Sequence, residues 1–458
     1  MFLPCSIQEW VPENHIVRFV CDTVETLPVS GFRVNPRGSG SEQYQPRMLL
    51  ALMIYCYATG RFHSREIEQA TYSDVAVRFI CSGDLHPDHS TIAEFRVVNR
   101  ALFESCFVKV LELAAATGVL KKVGTVSIDG TKVPANASRH AAVSYQRAGE
   151  MIAVLEEEVQ QLLLKAEAAD SKPLADGLSL PQELGRREER KKRLEEARRI
   201  IEQRHEERLR NAQAHEEYER KKEAYEEKKR QSRRRGAEPK PPPAQPEDKA
   251  QYNFTDPESR IMPAGSGKDG FIQGYNSQAV VDAEGSLLVL GCRITQNAND
   301  KQELIPTVAS VPAGVRTIGN VLADSGFCAE TAVTALEASG TVTVYAATDR
   351  QPHHRSVADL EKKEPPTAPG PETSFTETMR FRLATPEGRA LYKLRKETVE
   401  PIFGILKEVM GFRRFNLRGR DKAELEWVLV TLAYNVRRLF RLGGCNLLEK
   451  RRLQGSAA

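Results

Sequence analysis

Apolar residues recur at helical spacing through the first 122 positions. Over 47–59, 64–80 and 90–118 they fall three and four apart, as Ile92, Phe95, Val98 and Leu102 do, so each segment has one face to bury. The run His86-Pro-Asp-His-Ser-Thr91 precedes the last of these, with Ser90 placed to cap it. At 123 the period changes to two. Val126 and Ile128 face one way and Ser127 and Asp129 the other, which predicts a strand over 123–134. The chain then leaves this pattern for about 120 residues. Ile152, Leu155, Val159, Leu162 and Ala166 form a heptad seam, a break with Pro173, Gly177 and Pro181 follows, and 186–234 is charged with Leu194, Ala197, Ile201 and Leu209 as sparse anchors. Two helices around a break predict a helical hairpin, and the Pro-rich 236–247 predicts a stiff linker.

Strand-like runs resume at Phe271–Val281, Ser286–Thr295, Ile318–Ala323 and 341–347. Helical ones lie at 300–310, 329–339, 388–410 and 421–442, the last with Trp427, Leu429, Leu432 and Leu439. Between them, 351–376 is a polar, Pro-rich loop holding His353 and His354. The alternation predicts an α/β domain. The expected division is a helical domain over 1–122, the first strand of a catalytic domain over 123–139, a helical-hairpin (coiled-coil) insertion and linker over 140–250, the rest of the catalytic domain over 251–445, and a tail over 446–458.

Composition narrows the class. Forty per cent apolar residues in 458 supports more than one core, and a net charge of +4 excludes a polycation. The basic charge is local. Over 186–235 there are 20 Lys and Arg against 13 Asp and Glu, and over 391–453 there are 15 against 7. Two basic regions in a nearly neutral chain point to an anionic partner met at defined surfaces. The eight cysteines have no CxxC pair and are expected to be reduced thiols. The start, Met-Phe-Leu-Pro-Cys, lacks the basic head of a signal peptide, and the apolar stretch Met48–Tyr57 is too short to span a bilayer. A cytoplasmic protein that does not enter a membrane is expected.

Three acids stand in distinctive contexts: Asp129 in Val-Ser-Ile-Asp-Gly-Thr, Asp324 in Val-Leu-Ala-Asp-Ser-Gly, and Glu400 in Thr-Val-Glu-Pro-Ile-Phe-Gly-Ile-Leu-Lys. Two strand-borne aspartates and a helix-borne glutamate can hold two divalent cations close together, as phosphodiester cleavage requires. Each also has an ordinary reading. Asp129-Gly130 is a hairpin-turn pair, Asp324 a helix cap or turn residue, and Glu400 an i,i+4 partner of Lys396. On a helical wheel Leu391, Leu394, Thr398, Ile402, Leu406 and Val409 make one apolar side. Glu400 points opposite, with Lys393, Lys396 and Lys407 around it. Pro401 either kinks this helix or marks its start at Glu400. In Gly411–Arg420, Phe412 and Phe415 alternate with Arg413, Arg414, Arg418 and Arg420. Such a segment either holds phosphates and stacks on unpaired bases or is a basic turn with two core phenylalanines. Asp300 is expected to begin the helix after Asn299, and Asp256 to start a turn with Pro257.

The run Tyr392-Lys-Leu-Arg-Lys-Glu-Thr-Val-Glu-Pro-Ile-Phe-Gly-Ile-Leu-Lys407, followed by Gly411-Phe-Arg-Arg-Phe-Asn-Leu-Arg-Gly419 and Leu432-Ala-Tyr-Asn435, resembles the end of bacterial insertion-sequence DDE transposases. Ser-Ile-Asp-Gly-Thr-Lys and Ala-Asp-Ser-Gly-Phe resemble that class's first two acidic blocks. Tyr44-Gln-Pro-Arg-Met-Leu, Pro87-Asp-His-Ser-Thr-Ile-Ala-Glu-Phe-Arg96 and Thr255-Asp-Pro-Glu-Ser-Arg260 resemble its other parts. Within the family's Y-R-E-K signature the intervals Tyr392–Arg395 and Glu400–Lys407 fit. Arg395 is one residue too far from Glu400, and Lys396 stands at the family's interval. The resemblance implies a ribonuclease-H-like α/β catalytic domain after an all-α, DNA-binding domain. It implies Asp129, Asp324 and Glu400 as the catalytic, metal-binding triad for two Mg²⁺ ions, with Mn²⁺ able to substitute. It also implies Tyr392, Arg395, Lys396, Lys407, Arg413, Arg414 and Arg418 as DNA contacts. The expected partners are double-stranded DNA, as terminal inverted repeats and target, and a second copy of the chain in the synaptic complex. The alternatives are an inactive, transposase-derived scaffold and a ribonuclease-H-like nuclease without strand transfer.

Overall fold

A computed structural model describes residues 6–33, 43–121, 123–169, 180–210, 245–264, 270–348 and 373–444, with a few isolated residues besides. The chain forms two compact units, 1–136 with 262–458, and 137–261.

The first unit begins with seven helices: α1 (Ile7–Trp10), α2 (Ile16–Glu25), α3 (Pro46–Ala58), α4 (Ser64–Ser73), α5 (Val75–Ile80), α6 (His89–Val98) and α7 (Arg100–Ala116). Every residue of α3 from Met48 to Ala58 is buried, as befits a helix apolar on all sides. Two segments expected as single helices are each divided by a polar side chain. Asp74 turns extended and its Oδ1 accepts the Ala76 and Val77 N–H groups, which ends α4 and caps α5. Asn99 divides α6 from α7, donating to the Phe95 and Arg33 carbonyls and accepting the Arg33 N–H. The cap of α6 is Asp88 rather than Ser90. Its Oδ1 accepts the Ser90 and Thr91 N–H groups at 2.7 and 3.0 Å. Hydrogen bonds from the Ser90 hydroxyl and the Thr91 N–H hold its carboxyl well below the usual range.

The strands and remaining helices follow as β1 (Val123–Pro134), β2 (Ala142–Ser144), α8 (Tyr145–Ala169), α9 (Leu180–Arg210), β3 (Gln251–Asn253), β4 (Arg260–Pro263), β5 (Phe271–Asp282), β6 (Val289–Thr295), α10 (Leu304–Val308), β7 (Thr317–Ala323), α11 (Glu330–Glu337), β8 (Thr343–Ala346), α12 (Phe375–Ala384), α13 (Pro386–Gly404) and α14 (Arg420–Leu442). The main sheet runs β6-β5-β1-β7-β8, with β4 also beside β5. Strand β5 is antiparallel to β1 and β6, while β7 is parallel to β1 and β8 to β7. No hairpin turn forms at Asp129-Gly130. Strand β1 runs straight through, with Gly130 opposite Gln278 and Pro134 opposite Gly274, because β5 is long enough to pair along its whole second half. Ser127 is as fully buried as Val126 and Ile128, so both faces of the sheet are covered there.

Helix α14 is the hub of this unit. Its Trp427 Nε1 donates to the Gln278 carbonyl, and its Asn435 side chain bonds both backbone groups of Val289. Phe440 meets Phe19 with ring centroids 5.7 Å apart, and Arg437 donates to the Ala58 carbonyl. The strand expected from Ser286 begins at Val289, after Leu287 takes a positive φ of 56°. The helix expected over 300–310 forms only at α10. Helix α13 does not start at Glu400. It passes through Pro401 to Gly404 and continues as a wide π turn over Ile405–Val409, so the backbone adjusts just after the missing N–H.

In the second unit α8 and α9 lie antiparallel. Tyr145 donates to Glu202, Lys191 pairs with Glu156 and Arg187 with Glu158. Their core is Val143, Ala148, Leu155, Leu194 and Ala197, with Met151, Ile152 and Tyr252 at its margin. Val159 and Leu162 of the expected seam are only half-buried. Helix α9 begins at Leu180 rather than 186 because Pro181, in its first turn, has no N–H to waste there. Most of 211–244 and 351–372, including His353, His354 and most of the Pro-rich linker, lies outside the described residues. Among the described residues no helix is long and apolar enough to cross a membrane.

The cap at α6 gives a test of this folding account. Asp88→Ala is expected to cost about 1 kcal/mol in denaturant unfolding, the usual value of an N-cap. Ser90→Ala is expected to cost clearly less, and the reverse order would restore Ser90 as the cap.

Candidate active site

The parallel ladder between β1 and β7 pairs Ser127 with Leu322. Two residues further along each strand, Asp129 and Asp324 therefore come level at one end of the sheet. Asp129 is still inside β1, whereas Asp324 lies just beyond β7 and its Oδ1 accepts the Gly326 N–H at 2.8 Å. Helix α13 lies against β1, with the buried Thr398 and Ser127 hydroxyls 2.7 Å apart. That contact carries the next turn of α13 to the same end. There a single guanidinium spans two acids: Arg395 Nη1 is 3.3 Å from Asp129 Oδ2, and Nη2 is 3.1 Å from Glu400 Oε1.

The electrostatics follow from burial. The Asp129 carboxyl is pushed up to about 7, first by desolvation and next by the Asp324 charge, with Arg395 opposing both. Burial works against the Arg395 charge, but Asp129, Tyr392, Asp324 and Glu400 outweigh it and hold its pKa above the ordinary value. Burial raises the Tyr392 phenol, which Arg395 partly offsets. Among the described residues no three His, Cys, Asp or Glu side chains converge tightly enough to ligate one ion. Arg395 instead stands between two of the acids. The donors are all oxygen and share one sheet end, which is the chemistry that suits a hard divalent cation rather than zinc.

Asp300 departs from its expected place. It does not begin a helix, since α10 starts at Leu304. It faces the site, where its Oδ1 accepts from Asn276 Nδ2 and Gln278 Nε2, both at 2.7 Å. Lys132 Nζ lies 3.6 Å from its Oδ2. Gly130 makes room for this group. A Cβ there would lie 2.5 Å from Gln278 Nε2 and 2.8 Å from both Asn276 Oδ1 and Asp300 Oδ1. The glycine after Asp129 thus marks a recess, not a turn. The sequence signal for Asp300 was indirect: Asn276 and Gln278 put two amides on one face of a buried strand.

The cations on α13 are arranged differently from the wheel. Glu400 pairs with Arg395, Lys393 pairs with Glu397 at 3.4 Å, and Lys396 is exposed. Lys407 sits in the π turn, where the spacing of 100° per residue no longer holds. Its Nζ donates to Thr131 Oγ1 and the Lys132 carbonyl, and burial lowers its pKa. Tyr392 is half-buried beside the Ala283, Leu322 and Tyr345 cluster. Phe412 and Phe415 do not offer faces to bases. They are 1% and 0% exposed, packed on Phe62, Tyr275 and Trp427. The loop around them is pinned to the end of β1. Phe415 N–H donates to the Pro134 carbonyl, Asn136 Nδ2 to the Asn416 carbonyl, and Arg418 Nε to the Asn136 carbonyl. Buried Glu426 accepts the Asn416 and Leu417 N–H groups. Arg413, Arg414 and Arg418 are left exposed, Arg413 paired with Glu408.

Residues 246–436 match the family described as Transposase DDE domain, and residues 5–97 match the one described as Transposase domain (DUF772). No curated protein and no solved structure matches the chain. The first match takes in Asp324 and Glu400, while Asp129 lies between the two matched spans. A DDE domain implies a ribonuclease-H-like α/β fold, action on DNA and the use of divalent metal ions, and the mixed sheet here is of that α/β class. These two matches, to a transposase DDE domain and to a transposase domain, support an insertion-sequence DDE transposase.

Proposed function

We propose that the protein cuts DNA strands at the terminal inverted repeats of its element and joins the freed 3′-hydroxyl ends to target DNA. Asp129, Asp324 and Glu400 would hold two Mg²⁺ ions, or Mn²⁺ in their place. When bound, the cations supply Lewis-acid polarisation of the phosphodiester and a more acidic water or hydroxyl. The chain's own residues position and neutralise. Asp129 is held by the β1–β5 ladder, opposite Ala279, and Glu400 by the seat of α13 on β1. Arg395 is the cation nearest both acids, and its planar fork also suits a phosphate. Tyr392, Lys396, Lys407, Arg413, Arg414 and Arg418 are proposed as further DNA contacts, the last three from the pinned loop. The single observation that carries the reading is the Arg395 guanidinium bridging Asp129 and Glu400, level with Asp324.

The proposed division of labour is an end-binding helical domain over 1–122, a catalytic domain made of 123–139 and 251–445, a coiled-coil insertion over 140–250, and a tail over 446–458. Synapsis of two ends calls for at least a dimer in the active complex. The protein would work in the cytoplasm, on DNA.

Substitution of Asp129, Asp324 or Glu400 by Ala is expected to lower Mg²⁺-dependent cleavage of an inverted-repeat substrate by roughly a hundredfold or more, the scale of losing one preorganised electrostatic group. End binding in a gel-shift assay should persist. Full cleavage by any one variant would remove that residue from the triad. A strand-transfer assay with pre-cut ends separates a transposase from a nuclease that only cuts. Neutralising Arg413 and Arg414 together is expected to make log K fall less steeply with log salt, by about 0.9 per lost phosphate contact. An unchanged slope would take both off the DNA.

A further inference from the structure

A second cluster of groups lies away from the carboxylates, where the residues before α4 meet the loop after the π turn. There Phe62, His63, Asn136, Arg413, Arg414 and Asn416 line a cavity of about 190 Å³. Both walls are fixed from behind. On the α4 side, buried Arg96 donates to the Phe62 carbonyl at 3.1 Å and to the Tyr57 hydroxyl at 2.7 Å. On the loop side, Asn416 donates to buried Glu426 through its backbone N–H and its Nδ2, and Asn136 holds the Asn416 carbonyl. The two walls also touch. Phe62 meets Phe412 with ring centroids 5.2 Å apart, and a Cβ at Gly60 would lie 2.7 Å from the Met410 carbonyl oxygen. The positive φ of Gly60, 88°, suits that close approach to glycine alone. Packed backbone on both sides thus sets the shape of the cavity.

The chemistry of the lining selects the ligand. No acid lines the cavity. Arg414 and His63 are exposed, and neither side chain has a hydrogen-bond or ion-pair partner among the described residues. Arg413 is shared with Glu408, but both are exposed, and such a surface pair competes weakly with a second anion. Two guanidiniums and an imidazole around one small cavity suit a tetrahedral oxyanion, since an arginine fork meets phosphate oxygens in pairs. A nucleobase fits less well, because it needs an aromatic face to stack on. The one phenyl ring in the lining, that of Phe62, is 6% exposed and packed against Phe412.

We propose that this cavity seats a single backbone phosphate of the bound DNA, held by Arg413 and Arg414 from the loop and by His63 from the residue before α4. The assignment rests on the reading of the two arginines as DNA contacts, and adds His63, to which that reading gives no role. A phosphate shared in this way ties end binding by the first helices to the catalytic elements, because Phe415 of the loop is fixed to the end of β1.

The test uses the full-length protein and an inverted-repeat duplex in which a neutral methylphosphonate replaces one phosphate at a time. Gel shifts compare the parent with His63→Ala and Arg414→Gln. On the unmodified duplex each variant is expected to bind about tenfold more weakly, the scale of one charge-assisted hydrogen bond. Circular dichroism spectra should match the parent's, since both side chains are exposed. At one and the same position the methylphosphonate is expected to weaken the parent, and there both variants should bind no worse than the parent does. If Arg414→Gln weakens binding while His63→Ala does not, or if the two are silenced at different positions, the shared seat is overturned and the arginine reading stands. If an abasic site silences both and no methylphosphonate does, the cavity takes a base and the phosphate assignment is overturned. If no duplex position silences them, yet inorganic phosphate raises the parent's melting temperature and not that of either variant, the cavity takes free phosphate and its DNA role is overturned. If the parent binds no duplex, both readings fall.

Discussion

The parallel pairing of β1 with β7 is the constraint on which the rest depends. Parallel neighbours cannot be joined by a tight turn, so the chain must make a long crossover between them. The two aspartates are far apart in sequence for that reason and level in space for the same reason. The register from Val126–Val321 to Ser127–Leu322 decides that Asp129 and Asp324 emerge together. A slip of one residue would turn one of them to the other face of the sheet. Strand β5 holds β1 from its other side across Asp129 itself, so the site is built on sheet rather than on loop.

Helix α13 adds the third element through a small polar contact. Ser127 and Thr398 are both buried, and their hydroxyls meet where an apolar pair would give no angular preference. Pro401 and the π turn then let the chain leave the helix while Lys407 reaches back to Thr131 and Lys132. Glu426 has a comparable role for the basic loop. Its buried carboxylate takes up backbone N–H groups that would otherwise go unmet, and burial raises its pKa with Arg96 and those donors opposing. Exposed arginines thus ride on a loop whose backbone is fixed.

Much of this was legible in the sequence where local chemistry decides the outcome. The alternation at 123–134, the all-apolar run in α3 and the apolar face of α14 each specify an element whatever lies around them. The contexts of Asp129, Asp324 and Glu400 singled out residues that lie at one sheet end. Other features were not legible because their cause is non-local. Asp74 and Asn99 divide helices through side-chain hydrogen bonds that the apolar period does not register. Phe412 and Phe415 alternate with arginines in the same way whether they stack on a base or fill a core, and only the neighbouring Phe62, Tyr275 and Trp427 decide it. Asp300 follows a strand in polar sequence and acquires its surroundings from Asn276 and Gln278, more than twenty positions earlier.

The claim at the centre is that three separate elements bring their carboxylates to one end of the sheet in order to hold metal. Anomalous scattering from crystals of the full-length protein soaked in Mn²⁺ tests it most directly. The account expects manganese density within coordination distance of Asp129 and Asp324, with Arg395 displaced from Asp129. Manganese bound elsewhere, with Arg395 still bridging Asp129 and Glu400, would contradict it.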